Sequence, residues 1–163
     1  MATTLTTLGI AHTVFSLVAI GCGVVALATR GVIDPRQRLG TFYVITTVLT
    51  TGSALAIFNR GSFGPGHALA IVALLTLGIA LVATCTTILG RFSRTIQTAS
   101  MSATLLFHAI PGVTEGLTRL PPSVPVFASP EAPEFKTIYA GLLALFVIGL
   151  GIQLWRQQRR ART

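Results

Sequence analysis

The sequence predicts an all-α integral membrane protein, a single bundle of five transmembrane helices at about 5–28, 39–58, 67–89, 96–118 and 137–155. Three observations predict it. Of 163 residues, 52% are hydrophobic and only 10% charged, with a mean hydropathy of +0.76, and the apolar runs are long enough to cross a bilayer. The arginines fall between and after those runs instead of inside them. Small and hydroxyl-bearing residues recur within the runs at helical spacing, the pattern by which helices pack in lipid. A soluble domain is the poorer reading of this composition. A formal charge of +8 would suit nucleic acid, but no basic face interleaved with aromatics exists, so nucleic acid is not an expected partner. Topology signals and contacts to anionic lipid at the cytoplasmic face account for the arginines better.

The first helix carries Gly9, His12, Ser16, Ala19 and Gly23 at alternating steps of three and four, which places His12 on a close-packing face. Ala26-Leu27-Ala28 has the small-x-small form of a cleavage site. The N-terminus lacks a basic region and the apolar run is too long for a signal core, so this helix is expected to stay. Arg30 to Arg38 reads as a basic loop in which Gly31 and Pro35 prevent a continuous helix. The second helix has a hydroxyl face in Tyr43, Thr47, Thr50 and Ala54, with Thr46, Thr51 and Ser53 beside it, read as interhelical adhesive. A short return, Asn59 to Gly66, leads to Pro65 and His67 at the start of the third helix, where the helix dipole favours a neutral imidazole. Cys22 and Cys85 lie in apolar runs without metal-ligand spacing and read as reduced packing residues.

In the fourth segment Gln97, Met101, Thr104, His108, Glu115 and Arg119 share one helical face, the one polar stripe in the chain, and Pro111 is expected to kink it. A proline-rich outer loop at 121–136 follows. The fifth helix has Tyr139 and Trp155 at its ends, spaced as interfacial anchors, and a basic cytoplasmic tail at 156–163 ends the chain.

Whether the fourth segment spans decides the topology. If it does, Arg30, Arg36, Arg38, Arg91, Arg94, Arg156, Arg159, Arg160 and Arg162 lie on one side and Glu115, Glu131 and Glu134 on the other. That obeys the positive-inside rule and gives a bacterial inner-membrane protein with its N-terminus outside and its C-terminus in the cytoplasm.

All three histidines then fall in the outer half. His12 lies roughly 10 Å below the start of its helix and His108 roughly 15 Å below the outer end of its own, so the two can meet at one depth. His12 and His108 are the first candidates for cofactor binding, since two imidazoles from different helices are the axial set of a b-type haem. His67 and Glu115 form a shallower candidate set for a divalent metal, because His/His/Glu around an open position suits zinc. Against these stands the structural alternative, in which each histidine satisfies a neighbouring hydroxyl or carbonyl and Glu115 pairs with Arg119 four residues on. No P-loop, dinucleotide fingerprint or nucleophile elbow is present, so no catalytic residue is assigned. Two functions follow: a membrane protein binding haem or a metal ion, or a non-catalytic accessory or assembly subunit of a larger membrane complex.

Several short motifs carry a family resemblance: His12 in the first helix, Arg30-Gly31, Gln37-Arg38-Leu39-Gly40-Thr41-Phe42-Tyr43 and Gly61-Ser62-Phe63-Gly64-Pro65-Gly66-His67-Ala68-Leu69-Ala70. Over its first ninety residues or so the chain resembles a family of small, uncharacterised bacterial integral membrane proteins with helix histidines. Gln37 stands where that family has a loop histidine, so the resemblance implies a histidine-bearing bundle lacking a ligand at the cytoplasmic side. It assigns no reaction.

Overall fold

The computed structural model describes residues 6–58, 62–121 and 123–160. It is built from five α-helices: α1 (Thr7–Arg30), α2 (Arg38–Leu55), α3 (Pro65–Cys85), α4 (Ser93–Arg119) and α5 (Glu134–Arg160). A single 3-10 turn, Gly90–Phe92, precedes α4. Leu5 of the first predicted helix, Asn59 to Gly61 of the short return, Pro122 and the last tail residues lie outside the described residues.

Local chemistry sets the boundaries. Thr6 caps α1 by accepting the Gly9 N–H at 3.1 Å, and Gly31, in the left-handed region at φ 75°, ends it by donating to Leu27 O. The basic loop then folds tightly: Asp34 accepts the Arg36 N–H at 3.0 Å and Thr41 Oγ1 donates to Pro35 O at 2.9 Å. Gly40 is required here, because a Cβ would lie 1.9 Å from the Asp34 carbonyl oxygen. Pro65 opens α3 at its first turn. That helix stops at Cys85, four residues short of expectation, because Thr86 is extended and the chain turns through Gly90 at φ 50°. At the other end of the chain α5 runs further than its apolar core, with Glu134 in the first turn and Arg159 and Arg160 in the last, the charges that the helix dipole favours.

The first four helices form a ring in which α1 packs on α2 and α4, and α3 packs on the same two; α5 stands outside, against α4 alone. At the centre Tyr43, Leu77, Met101, Ala19, Ala26 and Ala80 are buried together, with Ile33 beneath them. Around this small core the usual order of a soluble protein is reversed. Thr46, Thr47, Thr50, Thr51, Thr98, Ser102, Thr104, His108 and Gln153 are buried, whereas Leu17, Val24, Phe42, Ile45, Leu75, Ile79, Leu145 and Ile148 are exposed. Outward apolar side chains and inward hydroxyls are the arrangement that lipid selects. Three helices, α1, α3 and α5, are long and apolar enough to cross a membrane, and the protein is a membrane protein.

Candidate functional site

The polar stripe of α4 divides. Met101, Thr104 and His108 are buried in the bundle, Gln97 is half-buried, and Glu115 and Arg119 are exposed. Glu115 is ion-paired with Arg119 across one helical turn.

His12 and His108 come together. Both line a cavity of about 100 Å³ whose walls also include Ser16, Thr50, Thr51, Ala54, Gly66, Leu69, Ala70, Ala73, Phe107 and Pro111. The walls derive from the early part of α1, the late part of α2, the early part of α3 and the middle of α4, so the cavity occupies one end of the ring.

Hydrogen bonding engages one nitrogen of each ring. His12 Nδ1 lies 3.0 Å from Thr50 O and 3.1 Å from Ser53 Oγ, and Ser53 gives its own proton to Thr50 O. Both partners accept, so Nδ1–H donates and Nε2 retains the lone pair. His108 is tied to a neighbouring hydroxyl on the second helix: its Nε2 lies 3.1 Å from Thr47 Oγ1. Beside it Thr104 Oγ1 donates to Met101 O at 2.8 Å, so the Tyr43 hydroxyl donates to Thr104 at 2.8 Å. The Tyr43 ring meets the His108 ring edge-on, with centroids 6.2 Å apart, and helps hold it.

Two threonine hydroxyls of the cavity are left as acceptors, while the Ser16 hydroxyl can donate. Thr50 and Thr51 spend their protons on the carbonyls of Thr46 and Thr47, leaving oxygen lone pairs. Pro111 has no N–H, so the Phe107 carbonyl lacks its helical donor at the cavity wall.

At about 100 Å³ the cavity is smaller than the roughly 300–1,000 Å³ pockets that organic ligands fill, and it is large enough for an ion with a few waters, one water needing roughly 10–15 Å³.

His67 and Glu115 are held elsewhere. The Gly64 N–H donates to His67 Nδ1 at 3.2 Å, which engages the lone pair a metal would need and puts the ring proton on Nε2. The ring sits between Phe58 and Phe63, with centroids 4.5 and 5.1 Å away. No hydrogen bond joins it to Glu115, and among the described residues no group of three metal-ligating side chains gathers. The expected His/His/Glu set is therefore not formed, because the cap of α3 uses the one imidazole and Arg119 the carboxylate.

Thr47, Thr50 and Ser53 read from sequence only as adhesive; here Thr50 and Ser53 set the tautomer of His12, and Thr47 holds His108. The signal was their shared spacing with Tyr43 on α2, which specifies a face but not its partner. Gln153 gave weaker notice, as one polar residue in the apolar run of α5. It is buried and accepts the Ser102 hydroxyl at 3.1 Å.

No known family model matches the chain, and neither a curated protein nor a solved structure is significantly similar to it.

Proposed function

We propose that the chain is a five-span protein of the bacterial inner membrane, N-terminus outside and C-terminus in the cytoplasm, that holds one copper ion between His12 and His108. The observation that carries this reading is that both imidazoles, each with one ring nitrogen hydrogen-bonded to the second helix, line one cavity. Two neutral imidazoles with no carboxylate leave the full charge of a bound ion uncompensated. The desolvation cost rises steeply with that charge, which favours monovalent copper over a divalent ion.

The span count draws support from α2 and α4. An 18-residue α2 is about 27 Å long, close to the hydrocarbon thickness, and its outward residues Phe42, Ile45, Val48 and Leu49 are apolar. Covered by α1, α3 and α5, α4 meets little lipid and tolerates its hydroxyls.

Copper(I) titration of the detergent-purified protein against a chromogenic chelator, under reducing conditions, tests the proposal. One copper per chain is expected, with the affinity of His12→Ala and His108→Ala falling by more than the roughly 10–100-fold typical of changes outside the ligands. Copper bound no better than by detergent alone, or equally well by both variants, contradicts it. In that event the accessory-subunit reading is the one to pursue.

A further inference from the structure

At the opposite end of the ring a second cleft, of about 410 Å³, lies between the basic loop, the end of α3 and the start of α4. Its chemistry inverts that of the histidine cavity. Arg36 and Arg94 line it from two different elements, together with Thr87, Ser93 and Gln97. Arg36 is held to the wall by a hydrogen bond from Nη2 to Thr84 O, which leaves its other N–H groups free to donate. Asp34, the acid next to Arg36 in sequence, faces away from this role: its carboxylate accepts the Arg36 backbone N–H and the Gln37 side-chain amide. No acidic residue lines the cleft. The α3 span ends at Cys85, so the cleft sits where a bilayer's headgroups lie.

We propose that this cleft binds the phosphate group of an anionic membrane lipid, with Arg36 and Arg94 as charge-assisted donors and the Thr87 and Ser93 hydroxyls completing the cradle. Guanidinium groups match phosphate geometry through paired N–H donors, and the cleft is wide enough for a phosphodiester with its glycerol. The site is independent of the copper site, and either can fail without the other.

Native mass spectrometry of the full chain in detergent, titrated with phosphatidylglycerol or with phosphatidylcholine of the same acyl chains, tests it. The intact protein should retain phosphatidylglycerol about tenfold more tightly than phosphatidylcholine, and Arg94→Gln should lose about tenfold, the worth of one charged hydrogen bond. Thr87→Val should weaken phosphatidylglycerol in the same direction; both positions are exposed, so folding is not at stake. Arg159→Gln, at the end of α5, should change the affinity by less than about twofold, as a solvated charge does. An equal loss in Arg159→Gln and Arg94→Gln overturns the proposal in favour of diffuse charge, as does equal retention of the two lipids. Displacement of bound phosphatidylglycerol by millimolar inorganic phosphate overturns the lipid as occupant, whereas resistance to it supports the lipid.

Discussion

Thr47 shows how much one hydroxyl can organise in a low-dielectric interior. It is hydrogen-bonded to His108, beside a run of hydroxyls in which Tyr43 donates to Thr104 and Thr104 to the Met101 carbonyl, so it ties the imidazole of the fourth helix to the second. Thr47→Val should keep the fold yet lower copper affinity about 10–100-fold, with Thr47→Ser restoring it, as measured by chelator competition. An unchanged affinity would show that Thr47 does not orient the ring. Gly23 makes a different residue-scale demand. A Cβ there would sit 2.9 Å from Leu105 Cδ1 and 3.0 Å from Tyr43 Cε2, so α1 approaches the centre of the bundle only because this position is bare. Gly23→Ala should cost about 1–3 kcal/mol in detergent unfolding, since both neighbours are packed and must move. Gly21→Ala, which meets open space, serves as its neutral control.

Among the elements, α5 depends most on polar contacts. It packs on α4 alone, and three side-chain bridges run along that seam: Thr114 to Tyr139, Ser102 to Gln153 and Gln157 to Thr98. In lipid no hydrophobic force separates a docked helix from a free one, so such bridges and close packing hold it. Gln153→Leu should weaken the seam by about 0.6 kcal/mol, and at most about 1.7, read as earlier protease cleavage of the loop before α5. Unaltered cleavage would assign the seam to packing alone. The helices themselves were legible in the sequence from hydropathy and punctuation: Gly31, Pro35, Pro65 and the arginines mark ends that hold to within a few residues. Less legible were ends set by backbone conformation, such as Thr86, which stops α3 early. The site was legible in half. Depth along each helix suggested that His12 and His108 meet, because rise per residue is fixed, and the structure brings both to one cavity. Which hydroxyl each ring would choose depended on the pairing of α1 with α2 and of α2 with α4, which no local pattern encodes. The engagement of His67 is local instead: Gly64, three residues before it, donates to its Nδ1.

At the scale of the whole molecule the two ends of the ring are chemically opposite. One holds His12 and His108 without a charged side chain in the cavity lining, the other gathers the guanidinium groups of Arg36 and Arg94, and an outward apolar surface lies between them. That polarity matches a bilayer with the arginines on the cytoplasmic side, if α2 and α4 also cross. A reporter fused behind Arg162 should therefore be active in the cytoplasm, and one fused to the N-terminus outside it; both on one side would remove a span. The central claim, that two imidazoles from α1 and α4 share one ion, is tested most directly by X-ray absorption at the copper edge of the copper-loaded protein. Two imidazole nitrogens at about 2 Å are expected, falling to one in His108→Ala. Copper surrounded by oxygen or sulfur alone, or an identical spectrum from the variant, would contradict it.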